Sequence, residues 1–203
     1  TGNKSILATF MHKIQAALIT FSGLSDGTFL ATLNALISQT FQIPKMIKQI
    51  NQDTLCDLIT KAAHSPRLRQ NLNMHPSPED DVQRLAIAME PGTYVRIHRH
   101  PHTWEMLTAL RGRFLVLVYD NSGKVTDRLW LGAETRLLEI PANTWHSVLS
   151  LDEGGVIFEV KHGAYQPVQE QDYLPGTPPE GEEGVKETLE WYAKAEVGEF
   201  FSL

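Results

Sequence analysis

The hydrophobic pattern of this chain changes its period near residue 66. Before that point, Leu55, Leu58 and Ala62 recur at the spacing of an amphipathic helix, with Asn51 or Asp53 as a suitable N-cap. After it, short runs alternate between apolar and polar residues, as β-strands with one buried face do. These runs cover residues 82–89, 94–98, 104–110, 114–120, 125–130, 137–140, 146–151 and 156–161.

Turn signals separate the alternating runs, for example at Pro91-Gly92, at Arg111-Gly112 and in the segment 141–143. Short strands that follow one another without intervening helices are typical of a sandwich or a barrel. The pattern therefore predicts a mainly β domain with a helix in front of it.

The two ends of the chain differ from this β region. Residues 1–45 contain two helical patterns, and Met46 follows them. They are either an extension in front of the domain or a helical hairpin that packs on it. We therefore predict an N-terminal helical extension (1–45), a β domain (46–165), and an acidic, proline- and glycine-rich tail with one helix (166–203).

The charge is concentrated in the tail. The chain has a formal net charge of −6, yet residues 166–203 alone contain nine acidic residues and two lysines. The remaining residues are therefore close to neutral. No cluster of lysine and arginine with interleaved aromatic residues occurs, so we do not expect nucleic acid as a partner.

Cellular location is indicated by what the composition lacks. The single cysteine, Cys56, excludes an internal disulfide framework and fits a reducing compartment. Cys56 falls in the helical pattern, and we interpret it as a core residue. No stretch has the character of a membrane span or a signal peptide, so we expect a cytoplasmic protein.

Three of the eight histidines lie within five residues, at positions 98, 100 and 102. Residues two apart on a strand point to the same side, so His98 and His100 project together, and Glu105 follows after a short turn. With His146 from a distant segment, this set could bind a divalent transition metal. The alternative is a buried, hydrogen-bonded cluster without a metal, and His102 is either a loop residue or a further ligand.

Two segments resemble the two motifs of the cupin superfamily. The first motif, G-x5-H-x-H-x4-E-x6-G, is matched by Gly92, His98, His100, Glu105 and Gly112. The second, P-x-G-x2-H-x3-N, is matched by Pro141 and His146, with Asn143 in place of glycine and Ser150 in place of asparagine. Asparagine tolerates the left-handed backbone that the glycine usually supplies, so the turn is retained.

Over residues 46–165 the chain resembles one particular group within this superfamily. The stretches "SPRLRQNLNMHPSPEDDVQRLAIAMEPGTYVRIHRHPHTWE" and "LEIPANTWHSV" are similar to WbuC-type cupin metalloproteins. This resemblance implies a mainly β double-stranded β-helix, the cupin jelly-roll barrel, with flanking N-terminal helices and a C-terminal helix. It also implies one divalent metal ion (Fe, Zn, Mn or Ni), a link to bacterial surface-polysaccharide loci, and a homodimer. The metal ligands it implies are His98, His100, Glu105 and His146.

Several polar residues are candidates for binding a ligand near the metal. Arg96 shares the parity of His98 and His100, so it either reaches the anionic group of a ligand or extends from the rim into water. A second polar face is either solvated or part of the pocket mouth; it comprises Arg67, Arg69, Asn71, Asn73 and His75. No residue stands out as a nucleophile or base, although Ser150, Tyr94 and His75 are possible.

These features give three hypotheses for function. The first is a metal-dependent enzyme that acts on a small polar or anionic metabolite, such as a sugar intermediate of O-antigen metabolism. The second is a non-catalytic module that anchors a sugar or a carboxylate through the metal. The third, a purely structural metal, is the least consistent with ligands that come from separate strands inside a barrel.

Overall fold

A computed structural model describes residues 47–202 of the chain. Residues from Gln49 onward form one compact unit. Its elements are α1 (Gln52–Ala63), β1 (Arg69–Asn73), β2 (Val82–Met89), β3 (Glu105–Arg111), β4 (Phe114–Tyr119), β5 (Val125–Leu131), β6 (Leu137–Ile140), β7 (Trp145–Ser150), β8 (Gly155–His162), a 3-10 turn (Glu170–Asp172) and α2 (Val185–Lys194).

The strands form two antiparallel sheets. One has five strands in the order β1-β2-β8-β3-β6, and the other has three in the order β5-β4-β7. Their inner faces pack together through residues such as Leu107, Val116, Val148 and Ile157. The predicted mainly β jelly-roll barrel with flanking helices is confirmed.

Helix α1 covers the outer face of the five-stranded sheet. The side chain of Asn51 accepts a hydrogen bond from the Thr54 backbone N–H (2.9 Å), which confirms the N-cap predicted from the sequence. Leu58 and Ala62 of the helix pack against Ala86 and Ala88 of β2. Small alanine side chains allow the helix to lie close to the sheet, which leaves the opposite face of β2 for the barrel interior.

Cys56 is exposed on α1, so its interpretation as a core residue is wrong. The buried positions of the helix are Leu58 and Ala62, with Leu55 and Ile59 partly buried beside them. Successive residues of a helix are rotated by about 100°. Cys56 therefore points away from the buried face of the helix, to which its neighbour Leu55 belongs.

The C-terminal tail covers the outer face of the three-stranded sheet. Tyr192 of α2 is fully buried and packs in one cluster with Leu115 and Leu117 of β4. Its hydroxyl donates a hydrogen bond to the carbonyl of Val95 (3.2 Å). The ring of Trp191 stacks on Tyr119 with centroids 6.2 Å apart. Helix α2 thus contributes directly to the hydrophobic core.

The segment 94–98 does not form the ladder strand that its alternation predicts. Only His98 makes isolated bridges, to His146 on one side and to Tyr173 on the other. Next to it, Arg99 N–H donates to the carbonyl of Asp172 (3.0 Å). The tail takes the place of a neighbouring strand here, so the backbone groups are paired without a regular sheet.

The two helical patterns in residues 1–45 lie outside the described residues. Within residues 47–202, no helix is both long and apolar enough to cross a membrane.

Candidate metal centre

Backbone pairing brings the four predicted ligands together. The N–H of His98 donates to the carbonyl of His146 (3.0 Å), and the N–H of His146 donates to the carbonyl of His98 (2.8 Å). Glu105 opens β3, where it lies opposite Ile140 of β6 and Lys161 of β8. The loop that carries His100 is tied to the turn before β7 by the hydrogen bond from Asn143 N–H to the His100 carbonyl (2.9 Å).

The turn before β7 depends on Asn143. Its φ is 64°, the left-handed conformation that glycine adopts in the second cupin motif. The substitution at this motif position therefore preserves the turn that delivers His146, as the sequence predicted.

The candidate donor atoms of His98, His100, Glu105 and His146 all lie within 4.8 Å of one another. Glu105 Oε2 is 3.1 Å from His100 Nε2 and 3.3 Å from His146 Nε2. His100, Glu105 and His146 are buried, and His98 is partly exposed. The structure thus brings together three imidazoles and one carboxylate in a single compact cluster.

Two of the imidazoles are oriented by backbone carbonyls. His98 Nδ1 lies 2.8 Å from the carbonyl of Arg96, and His146 Nδ1 lies 2.9 Å from the carbonyl of Thr144. A carbonyl can only accept, so each Nδ1 carries the proton in the neutral ring and Nε2 keeps its lone pair. This is the arrangement in which a histidine offers Nε2 to a metal.

Three buried atoms of the cluster have no hydrogen-bond partner among the described residues: His100 Nε2, Glu105 Oε2 and His146 Nε2. Their short mutual contacts do not have hydrogen-bond geometry. Leaving such groups unsatisfied is destabilising. A divalent cation bound between them would satisfy all three, and nitrogen and oxygen donors of this kind suit Fe, Zn, Mn or Ni.

The protonation states of the cluster differ from one residue to the next. Burial, together with the nearby His146 and His100, holds the pKa of His98 well below its ordinary value, and burial lowers the pKa of His100. For His146, the close Glu105 carboxylate outweighs burial and raises the pKa above 6.5. Burial would raise the pKa of Glu105, but Lys161 and the imidazoles hold it well below its usual range.

Metal affinity should therefore decrease as the pH falls. His146 takes up a proton first, because its pKa is raised, and a protonated imidazole cannot bind a metal. We expect the apparent affinity to fall about tenfold per pH unit below that pKa, and more steeply once His100 and His98 are protonated as well. Competition with a chromophoric chelator between about pH 8 and pH 5.5 measures this dependence. An affinity that stays constant across that range would contradict the ligand assignment.

The cluster lies on the wall of a cavity of about 390 Å³ inside the barrel. Of the predicted ligand-binding residues, Arg67, Asn71 and Arg96 line this cavity, as does Arg69. The side chain of Arg96 is 13% exposed, pairs with Glu170 (2.9 Å), and lies 4.3 Å above the ring of Tyr173.

Asn73 and His75, for which the sequence left open a solvated face or a place at the pocket mouth, are not among the residues that line the cavity. Asn73 is exposed near the end of β1, opposite Leu85. His75 is buried, and its Nδ1 lies 3.0 Å from the backbone nitrogen of Arg84. The alternation stops with β1, because the chain then turns to pack His75 against β2.

The remaining candidate ligands and catalytic residues, His102, Ser150 and Tyr94, lie outside the cluster or make structural hydrogen bonds. His102 is exposed in a loop and outside the cluster. Ser150 Oγ donates to the carbonyl of Met89 (2.7 Å), and Tyr94 Oη donates to the carbonyl of Pro178 (2.8 Å). These hydroxyl groups fasten neighbouring segments together.

Sequence reasoning missed two charged residues that face the cavity, Glu159 and Lys161 of β8. Lys161 Nζ lies 2.7 Å from Glu159 Oε1. Burial and the Glu105 carboxylate raise the pKa of Glu159 to about 8, against the opposing effect of Lys161. The alternation of β8 contained the signal, because both residues share the parity of the inward-facing Ile157.

We expect a chain that starts at Met46 to bind metal as the full chain does. Within the described residues 47–202, all those that line the cavity lie between Arg67 and Glu180. Metal content and thermal unfolding of the two chains, measured side by side, test this expectation. Insolubility or loss of metal would show that residues 1–45 complete the domain.

Comparison with known proteins gives one family match. A family described as a domain of unknown function (DUF6016) matches residues 50–131. No curated protein matches the chain.

Several solved structures are similar to parts of this chain at low sequence identity. KdgF from Halomonas sp. is 15% identical with a TM-score of 0.41, covering 50% of this chain and 85% of its own. Oxalate oxidase in complex with the substrate analogue glycolate is 18% identical with a TM-score of 0.40, covering 52% and 55%. A Bacillus halodurans protein is 17% identical with a TM-score of 0.42, covering 64% and 92%. Likeness at this level transfers no activity or ligand. The chain itself is a mainly β domain of two packed antiparallel sheets, and its cluster of His98, His100, Glu105 and His146 fits a metal site.

Proposed function

We propose that this protein is a metal-dependent enzyme that acts on a small polar or anionic metabolite. The observation that carries the proposal is the set of unsatisfied, buried donor atoms on the wall of an internal cavity. His98, His100, Glu105 and His146 would hold the ion. When bound, a divalent metal supplies Lewis acid chemistry that polarises an oxygen of the ligand.

The charge of the cavity supports an anionic ligand. Among the described residues that line it, Arg67, Arg69, Arg96 and Lys161 are positive and Glu105 and Glu180 are negative, whereas Glu159, with its pKa raised to about 8, is mostly neutral. The balance is positive before any metal ion is counted. A volume of about 390 Å³ lies in the usual range for sites that bind small molecules.

The Glu159–Lys161 pair supports catalysis over simple binding. Glu159 has a pKa raised to about 8 by burial and by Glu105, and a cation at the cluster would lower that pKa toward neutrality. A carboxyl group that titrates near the working pH is suited to donate or accept a proton. The Lys161 ammonium beside it can stabilise negative charge that develops on the ligand.

The alternative is a non-catalytic module that anchors a sugar or a carboxylate through the metal. It would use the same cavity without turnover. A structural metal fits less well, because the cluster faces an open cavity instead of being enclosed on all sides.

One experiment separates catalysis from binding. The full chain is incubated with a bacterial small-molecule extract, which is then compared by mass spectrometry with samples containing Glu159→Gln or Glu105→Gln. An enzyme converts a metabolite into a new species, and Glu159→Gln suppresses the conversion while retaining metal. A binding module instead depletes a metabolite that is recovered unchanged after the protein is denatured.

Elemental analysis of protein purified without added metal addresses the cofactor. Iron would favour oxygen chemistry, because four protein ligands leave two positions of an octahedron open. Zinc would favour a Lewis acid or binding role. A protein without stoichiometric metal would refute the proposed function.

The resemblance to WbuC-type cupins supports a narrower proposal. We propose that the protein is cytoplasmic, forms a homodimer, and takes part in surface-polysaccharide (O-antigen) metabolism without a nucleic-acid partner. Light scattering in solution tests the dimer, and the loss of O-antigen in a deletion strain tests the pathway.

A further inference from the structure

Carboxylates of the acidic tail lie on the arginines that line the cavity. Arg67 Nε donates to Glu180 Oε1 (2.9 Å), and Arg69 Nη2 donates to Glu180 Oε2 (3.1 Å). Both arginines and Glu180 belong to the cavity lining. The uneven charge of the sequence therefore has a structural counterpart, since one tail carboxylate is shared by two arginines of the β domain.

We propose that Glu180 is an internal competitor, which occupies the position where the cavity binds the carboxylate or phosphate group of a ligand. This proposal rests on the proposed function in one respect, namely that the cavity is the ligand site. Guanidinium groups bind carboxylates and tetrahedral oxyanions through the same paired N–H groups. An incoming anion can therefore replace Glu180 without leaving the two arginines unpaired.

The ion pair between Arg67 and Glu180 is weak enough for another anion to replace Glu180. The side chains of Arg67 and Glu180 are 58% and 35% exposed, and ion pairs in such surroundings are weak. Arg69 is held more firmly, because its Nη1 also donates to the carbonyl of Tyr94 and its side chain is only 20% exposed. Arg69 therefore stays oriented toward the cavity when Glu180 leaves.

There is also space beside the cavity for the displaced side chain of Glu180. A second, open depression adjoins it and is lined by Pro66, Leu68, Gly92 and Val185. Glu180 lines both this depression and the cavity, so a side-chain rotation that leaves the tail docked would be enough to free the arginines. The tail is held independently, since Arg96 Nε donates to the buried Thr177 Oγ1 (3.0 Å).

Two matched variants of the full chain test the competition. Glu180→Gln removes the competitor, and Glu182→Gln makes the same charge change at an exposed residue two positions away that does not line the cavity. The probe is sulfate, a dianion that binds metals poorly, followed by NMR shifts of the arginine Nε–H and backbone resonances. We expect Glu180→Gln to bind sulfate about threefold to tenfold tighter than the wild type, and Glu182→Gln to change affinity by less than about twofold.

Other outcomes have definite meanings. Equal effects of the two variants, or sulfate shifts that avoid Arg67 and Arg69, would overturn the proposal. Arg67→Gln should weaken sulfate binding, and unchanged binding by this variant would overturn the proposal even where Glu180→Gln does not fold. Malonate in place of sulfate distinguishes a carboxylate preference from one for tetrahedral oxyanions. Metal content, measured on the same samples, reports on the proposed function separately, because none of these residues belongs to the cluster.

Discussion

Replacing Glu105 with glutamine is expected to abolish stoichiometric binding of a divalent metal. The substitution keeps the shape of the side chain but removes the only carboxylate of the cluster, which holds its charge because its pKa is well below the usual range. Changing an outer partner of a metal ligand already weakens affinity 10–100-fold, so loss of a ligand should exceed about 100-fold. Metal content by elemental analysis and a chelator-competition titration measure the effect.

Glu159→Gln is the matched control for this experiment. Glu159 is a buried carboxyl group in the same cavity, but it lies outside the cluster. The variant should retain metal, and circular dichroism should show both proteins folded. Full metal occupancy in Glu105→Gln would remove Glu105 from the ligand set, whereas equal loss in both variants would show that the effect is not specific to a ligand carboxylate.

Replacing Tyr192 with alanine is expected to lower the free energy of unfolding by about 3–5 kcal/mol, as for other large aromatic residues of a core. Its ring is fully buried and stacks near Tyr94, with centroids 6.4 Å apart. Removing it leaves a cavity between α2 and the barrel, and the carbonyl of Val95 loses its donor. Chemical denaturation measures the change.

Two further variants serve as an intermediate change and as a control for Tyr192→Ala. Tyr192→Phe removes only the hydroxyl and should lower stability by about 1 kcal/mol. Val197→Ala, at a residue that is 61% exposed, should change it by less than about 0.5 kcal/mol. If Tyr192→Ala were as mild as Val197→Ala, the tail helix would not be part of the cooperative core.

The barrel could be predicted because each of its strands has a local alternation of apolar and polar residues. Alternation located most strand boundaries to within one or two residues, and Asn51 marked the start of α1. The segment 94–98 was the exception. Its alternation is real, but its pairing partner is the tail around Tyr173, and no local pattern announces a partner so far along the sequence.

The role of the tail could not be predicted for the same reason. Glu170 and Glu180 meet Arg96 and Arg67 across 74 and 113 residues of sequence. A charged residue in a proline-rich segment gives no sign of which cation it will approach. Only the fold shows that the tail is a wall of the cavity.

At the site, the spacing of the histidines and the two motifs were enough to predict the metal-ligand cluster. The four predicted ligands form the observed cluster, whereas Asn73 and His75 lie away from the cavity. Glu159 and Lys161 were overlooked because charged residues near a strand end usually face solvent. Their parity with Ile157 was the better guide.

The paired hydrogen bonds between His98 and His146 also constrain the order of events in folding. His146 lies roughly fifty positions beyond His98, and Tyr173, which bridges to His98 as well, lies further still. Contacts at such separations form late, since they require long loops to close. The four donors therefore converge only when the barrel closes, so a bound ion would enter a finished site and would not nucleate the fold.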